Sequence, residues 1–412
     1  MLRIWIVAVA TLAAPALAQL HVTPGTEAPV GATDLAGLGA GGAVVAVPTL
    51  DSPFFGNPAH VTDRGFALTL LGVTAGAGGN VSQAWTFYAD ELGPAVEDGL
   101  DDLRRHDPER LEALYTEALR VGSQPKTADL AVLAPSVRLT SGPFAVGAGL
   151  YAHSVTRGRI TNGGGGIPFV DLYGRADLAV PVVAGVDLAR TPLGLALPFG
   201  LRAGASATYL QRRVTAKASP VDALDPDGEK LYVLRGDAVR LAAGLHATDV
   251  AVRGLDLGVA VSNVGGRIDY AFDRSVEVSG SAGTADDLDE VATLEARFDG
   301  RTSEAVVQVG AAYRLPAVPG VSQASVALDY TSAATSDFEQ SVQAGLRAGA
   351  RVRLGGHLEL RGGLSQGMPS AGAALVTRVA RLEYATYGVE DGRLLGQLRR
   401  RNHVVQVRFG LF

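Results

Sequence analysis

The chain contains no cysteine, which rules out disulfides, thiolate metal sites and a cysteine nucleophile. Its fold has to hold without covalent staples. Lysine is almost as scarce. Lys126, Lys217 and Lys230 are the only ones, so nearly all the positive charge is arginine. No lysine-rich tail or polybasic stripe is present and the formal net charge is −6, so nucleic acid is not an expected partner. Long apolar runs are also missing beyond the N-terminus. Hydrophobic residues make up 47% of the chain and its mean hydropathy is positive, yet no later stretch approaches the roughly 20 residues of a membrane helix. The hydrophobicity must be dispersed in short segments.

The first residues, Met1-Leu2-Arg3, supply a short positive region, and the apolar run Ile4 to Leu17 ends in Ala16-Leu17-Ala18. This reads as a secretory signal over residues 1–18, cleaved after Ala18, with a mature chain from Gln19. An uncleaved anchor is disfavoured because Pro15 interrupts a run that is already short.

Alternation decides the fold class. From Ser341 to Leu354, Val342, Ala344, Leu346, Ala348, Ala350, Val352 and Leu354 alternate with Gln343, Gly345, Arg347, Gly349, Arg351 and Arg353. A period of two over that length is a strand with one dry and one wet face. The pattern recurs at Val307, Val309, Ala311 and Tyr313, at Ala324, Val326, Leu328 and Tyr330, at Val239, Leu241, Ala243 and Leu245, at Leu255, Leu257, Val259 and Val261, and at Phe144, Val146, Ala148 and Leu150. Roughly fourteen such segments run from Phe66 to the C-terminus, joined by Gly, Asn, Asp or Pro turns. Most exceed the five or six residues usual in soluble strands. The expected fold is all-β: a transmembrane antiparallel barrel of about 14 strands over residues 64–412, in which every backbone group is paired and no sheet edge remains. Tyr151, Tyr209, Tyr313, Tyr330 and Tyr384 are expected to form an interfacial girdle. The chain ends in the strand Val404 to Leu411 followed by Phe412, which is out of phase with the apolar face.

Some segments are not wall. Between Tyr88 and Gly122 the period becomes helical, with stripes at Leu92, Val96, Leu100 and Leu103 and at Leu111, Leu114, Tyr115, Ala118 and Leu119. Asp107-Pro108 marks a second helix start. The apolar stripe of this insertion, residues 88–122, needs a cover: its own helices, the barrel mouth or another chain. Lys217 to Lys230, Asp273 to Asp289 and the glycine run of Asn162 to Ile167 read as polar loops. Residues 19–63 are rich in Gly, Ala and Pro without steady alternation, and are expected to form a hatch inside the pore.

Two motifs resemble the superfamily of long-chain fatty-acid transporter (FadL-type) barrels, including its PorV-type secretion and TraF-like conjugal-transfer branch. The first is Gly37-Leu38-Gly39-Ala40-Gly41-Gly42-Ala43 leading through Asp51 to Asn57-Pro58-Ala59, similar to the glycine-rich run and Asn-Pro-Ala of the family's hatch. The second is Gly363-Leu364-Ser365-Gln366-Gly367-Met368-Pro369-Ser370-Ala371-Gly372, followed by Leu382-Glu383-Tyr384-Ala385, which looks like the penultimate hairpin of the PorV and TraF-like branches. The resemblance implies an outer-membrane protein of a Gram-negative-type envelope, in contact with its lipid. In the transporter branch a displaced hatch lets a hydrophobic molecule pass through a kink in the wall; in the other branch the barrel binds a protein of a secretion or conjugal-transfer system. Asn57, Pro58 and Ala59 are the expected hatch-packing residues, Asn57 tying a turn and Pro58 fixing the next φ. An ordinary turn before the first strand is the plainer alternative. Leu111, Leu114 and Tyr115 are the expected partner-binding residues of the second reading.

Three strings mimic other chemistry. Gly37 to Gly42 fits a dinucleotide fingerprint without the strand and βαβ context it requires. Gly363 to Gly367 fits a hydrolase nucleophile elbow around Ser365, but Pro369 and a new strand follow where a helix is needed. Asp225-Pro226-Asp227-Gly228 lacks the remaining acids of a calcium loop. The seven histidines form no ligand pair at helical or hairpin spacing. No catalytic residue, cofactor or metal is therefore assigned, and an outer-membrane enzyme is the least favoured reading.

Overall fold

A computed structural model describes residues 34–63, 65–162, 168–192, 197–220, 230–265, 267–277, 282–283, 298, 305–316, 318–332, 345–390 and 399–411. The expected signal segment lies outside these residues, as do the first half of the expected hatch, residues 221–229 of the expected Lys217–Lys230 loop and Phe412.

The strands are β1 (Phe66–Gly78), β2 (Lys126–Ser141), β3 (Phe144–Asn162), β4 (Pro168–Asp187), β5 (Gly200–Pro220), β6 (Lys230–Thr248), β7 (Leu255–Val264), β8 (Asp269–Glu277) and the two-residue β9 (Ala282–Gly283). They continue as β10 (Val306–Arg314), β11 (Val321–Thr331), β12 (Leu346–Leu354), β13 (Leu358–Ser365), β14 (Met368–Val376), β15 (Ala380–Glu390) and β16 (Arg399–Leu411). Each wall strand pairs antiparallel with its neighbours, and β1 pairs with β16 from Leu68 opposite Leu411 to Gly78 opposite Asn402. β7 lies along Leu241–Ala247 of β6 and β8 along Lys230–Asp237, on the same edge. They are two halves of one wall position, so the result is a closed barrel of 14 strands.

The burial is inverted relative to a soluble sheet. On β16, Val405, Val407, Phe409 and Leu411 are exposed, Phe409 by 51%, while Gln406 and Arg408 between them are buried, Arg408 to 2% exposure. On β6, Val239, Leu241 and Leu245 face out, and Arg240 and His246 face in. Only a hydrocarbon environment makes such an exterior favourable, since several thousand cal/mol of apolar surface per strand would otherwise meet water at about 25 cal/mol per Å².

β3 to β6 are 19 to 21 residues long, against 8 or 9 for β12, β13 and β14. At about 3.3 Å per residue and a tilt near 40°, the longer strands rise about 50 Å, roughly twice the apolar band of such barrels. Their outward faces change character on the way. Above Val239, β6 presents Asp237 and Arg235, which pair at 3.5 Å, and Arg213 of β5 pairs with Asp273 of β8 at 2.9 Å. The Tyr209 hydroxyl donates to Asp237 at 2.9 Å at that border, and Tyr384 meets His403 at 2.8 Å across the outward face of β15 and β16. These two tyrosines sit mid-strand because the strands continue past the belt. Tyr151 is a correction to the expected girdle: it is fully buried and points into the lumen. Asp273–Glu277, expected in a loop, are part of β8, their polarity explained by a position above the belt.

The insertion begins earlier than its periodicity suggests, at Val81. It comprises α3 (Val81–Phe87), a π-turn (Tyr88–Leu92), α4 (Gly93–Asp98), α5 (Leu100–His106) and α6 (Pro108–Gly122), after α1 and α2 in the N-terminal segment described below. Val81-Ser82-Gln83-Ala84-Trp85-Thr86-Phe87 carries β-branched and aromatic residues that read as strand, and packing of Phe87 overrides them. Asp107 caps α6 by accepting from the Arg110 N–H at 3.1 Å, with Pro108 at its first position, as the sequence indicates.

Candidate functional site

The lumen holds the N-terminal segment. α1 (Leu35–Gly39), α2 (Ser52–Phe55) and a 3-10 turn (Pro58–Asp63) follow the inner circumference. Leu35 packs on Ala385 and Val404. The Val44 and Val45 N–H groups donate to the Asp329 carboxylate of β11 at 2.6 and 2.7 Å. Asp51 receives the Arg408 guanidinium of β16 through both carboxylate oxygens, one at 2.9 Å, and Arg351 of β12 donates to the Pro48 carbonyl at 3.3 Å.

The wall accommodates this backbone with inward glycines. A Cβ at Gly258 would strike the Val45 carbonyl, at Gly244 the Asn57 amide, at Gly204 the Pro58 carbonyl and at Gly349 the Ala40 carbonyl. Asn57 is fully buried and bonds in three directions: Oδ1 accepts from the Ala59 N–H at 3.1 Å, and Nδ2 donates to the carbonyls of Val45 and of Leu245 on β6, both at 2.9 Å. It ties its own turn and also joins the segment to the wall. Pro58 and Ala59 are buried beside it. Asp34 caps α1 through the Gly37 N–H at 3.1 Å and accepts from Thr49 at 3.0 Å. Burial, and then the nearby Asp51, raise its pKa above the ordinary 3.8.

Two kinds of surface line the rest of the lumen. From β12 to β15, ion pairs interlock: Glu359 meets Arg361 at 2.7 Å, Arg353 at 2.9 Å and Arg351 at 3.2 Å, and Arg361 reaches Glu383 at 2.7 Å. The opposite wall is different. Phe54 and Phe55 of the segment pack on Tyr151, Phe55 edge-on at 4.5 Å, together with Leu133, Val183, Leu210 and Ile268. A second apolar cluster of Tyr173, Val214, Tyr232, Leu234 and Phe298 lies further along the same strands, and Tyr270 touches both. Between the clusters β4 and β5 turn Arg175, Asp177 and Arg212 inward: Arg212 is 0% exposed and gives Asp177 two bonds of 2.7 and 2.9 Å, and Arg175 lies 3.3 Å from the same carboxylate. The result is two apolar clusters joined at Tyr270, the lower one ending on the N-terminal segment, with a buried ion-pair group on β4 and β5 between them.

Beside the lower cluster the wall ladder is irregular. β1 and β2 pair at Thr69 and Ser136 and again at Gly72 and Leu133, with no pairing between, and the β2–β3 register shifts between Ala134 and Val137. Pro135 has no N–H to donate there.

Leu111 and Leu114 are buried among Phe87, Leu92, Leu100 and Val121, and Tyr115 is half-buried against the same cluster, which also takes Ile160 of β3 and Val170 of β4. The insertion's apolar stripe is thus covered within the chain, by its own helices and the ends of two long strands. Ser365 ends β13, and Gln366 and Gly367, both at positive φ, turn directly into β14. This is a hairpin, with no helix to complete a nucleophile elbow.

The sequence could not pair Asp51 with Arg408 or Asp329 with Val44, because each pair spans hundreds of residues. It did contain the inward glycines, at alternate positions within wall strands, where a turn role does not fit.

The architecture is that of a plugged membrane barrel with an asymmetric lumen, and solved structures share it. A TodX deltaS2S3 mutant monoaromatic hydrocarbon channel aligns over 92% of this chain and 98% of its own, with 12% identity and a TM-score of 0.50. The Ralstonia pickettii toluene transporter TbuX aligns over 92% and 97% at 13% identity and a TM-score of 0.49, and a Pseudomonas aeruginosa FadL homologue over 92% and 97% at 11% and 0.43. At this identity the likeness establishes the fold. No protein-family model matches the sequence, nor does any curated protein.

Proposed function

We propose that the chain is an outer-membrane channel for neutral hydrophobic small molecules, with residues 19–63 as its hatch and residues 1–18 as its export signal. The observation that carries this reading is the pair of apolar clusters that runs from Phe298 through Tyr270 to Phe54 and Phe55, opposite a wall of interlocked ion pairs. A solute entering from the end with long connections, the outer face in such barrels, would have to part these packed side chains on its way to the hatch. Its exit is either past a displaced hatch or sideways at the irregular ladder around Pro135, next to the buried Tyr151. Bound Arg212 favours a neutral cargo over an anion, and the toluene transporters of similar fold make monoaromatic hydrocarbons the first solutes to try.

The test is uptake into proteoliposomes. Toluene should enter faster than into empty vesicles, deletion of residues 34–63 should change its rate and that of small polar solutes, and Tyr270→Ala should slow toluene alone. No acceleration for any apolar solute, or identical rates after the deletion, would overturn the reading. Binding to a secretion or transfer-system protein has less support, because Leu111 and Leu114 are occupied within the insertion.

A further inference from the structure

We propose that His60, Asp63 and His246 bind one divalent first-row transition-metal ion, zinc being the test case, which fastens the N-terminal segment to β6. One ligand atom from each lies within 4.8 Å of the others. The sequence conceals this because His246 is far along the chain; the fold brings its ring to within 4.8 Å of the His60 ring, at an interplanar angle of 82°. His60 and Asp63 share a 3-10 turn, in which residues three apart eclipse and present their side chains together.

The surroundings prepare the donors. His60 Nδ1 lies 2.8 Å from the Ser52 hydroxyl, which accepts from the Thr49 N–H at 3.0 Å and donates to the Thr49 carbonyl at 3.3 Å. With the hydroxyl hydrogen on the Thr49 carbonyl, Nδ1 can carry the ring proton and leave the Nε2 lone pair for a metal. Nε2 is buried and has no hydrogen-bond partner, and neither ring nitrogen of His246 makes an aligned one, although the Ala46 backbone is adjacent. Arg202 holds Oδ1 of Asp63 and so fixes the orientation of the carboxylate. An imidazole whose second nitrogen is tied and a carboxylate held by a hydrogen bond are the usual supports of metal ligands. Two imidazoles and a carboxylate suit zinc and its first-row neighbours, with water in the remaining position. An edge-to-face ring pair would account for the two histidines but not for the third donor converging on them. Arg138, Arg202 and Arg351 also bring positive charge to this region, set against the carboxylates of Asp51 and Asp63.

Two donors belong to the segment and one to the wall, so an ion here would link them. The site stands independently of transport; its effect on opening rests on the hatch reading. Detergent-purified full-length protein without a histidine tag is stripped with EDTA, dialysed, and titrated with zinc by calorimetry and elemental analysis. One equivalent should bind, cobalt should give a visible d–d band at the same stoichiometry, and zinc should slow proteolysis within residues 34–63. His246→Leu should abolish the band, and Ser52→Ala should weaken binding about 10- to 100-fold. Asp63→Asn, which keeps the shape and the Arg202 contact, guards against a folding artefact, with near-unchanged detergent melting and lost binding expected. No bound ion, or an ion whose stoichiometry survives His246→Leu and Asp63→Asn, overturns the proposal. Metal binding without any change in solute uptake would leave the site standing and count only against the hatch.

Discussion

Replacing Asp51 by alanine would leave the Arg408 guanidinium buried without its counter-charge. Arg408 is 2% exposed. Its Nε donates to Gln406 at 2.6 Å, and Gln406 in turn donates to Thr74 at 2.6 Å, so the wall side of the network survives the substitution. What is lost is the two-pronged contact to the segment. Removing one partner of a buried pair costs about 3–5 kcal/mol, mostly as the penalty on the stranded charge. Because that charge can be rehydrated only if the segment lifts away, the cost falls on docking, and at 1.4 kcal/mol per decade it shifts the docked-to-undocked ratio by roughly two to four orders of magnitude. Hydrogen–deuterium exchange of the amides in residues 34–63 reads that ratio directly, with proteoliposome leakage as the functional companion. The double variant Asp51→Leu with Arg408→Met removes both charges and should recover much of the protection, since an apolar replacement of the whole pair is often neutral. If Asp51→Ala changes exchange in residues 34–63 by less than about threefold, the pair is not what holds the segment and the reasoning fails.

Gly258→Val should force the Val45 backbone off the wall, an overpacking cost of about 1–3 kcal/mol or more, and single-channel conductance in planar bilayers should rise. Asp34→Asn keeps an acceptor for the Gly37 N–H and removes a charge that burial disfavours. With its pKa raised in the docked state, the stabilising contribution of protonated Asp34 is full below about 3.8, its unfolded value, and is lost as pH rises through the folded one. Amide exchange in residues 34–63 of the wild type should therefore slow on acidification through that window, and the variant should exchange more slowly than wild type at pH 7. Leu241→Arg on the outward face of β6 should cost about 2–4 kcal/mol if it lies near the bilayer midplane, seen as a lower folding midpoint in urea with lipid vesicles, while the isosteric Leu241→Met should be silent.

The barrel was readable because its exterior obeys one rule over many strands: residues such as Val239, Leu241, Ala243 and Leu245 alternate with polar ones and face a uniform solvent. The same rule misled above the belt, where Lys217 to Pro220 and Asp273 to Glu277, expected in loops, belong to continuing strands. The interior was far less readable. Tyr151 and Tyr209 are the same residue type in similar strands, yet one anchors Phe55 and the other faces outward, and phase alone distinguishes them, Tyr151 following the outward Leu150 on β3. Asn57 was legible as a turn-forming residue, but its bond to Leu245 was not, since hydrogen bonds to distant backbone leave no mark on composition. Glycines such as Gly244 and Gly258 record the shape of the segment that lies against them, and that record becomes intelligible only after the ring of contacts is known.

The uneven strand lengths give the cylinder a tall parapet on one side and a low sill on the other. Tyr173, Tyr232 and Phe298 pack together on the inner face of the parapet, so on the proposed channel reading a greasy molecule drifting in from outside would have to part them before it reached the hydrocarbon layer. Capture would then begin in the watery fringe of the envelope, where the sugar coat of an outer leaflet otherwise holds such molecules back.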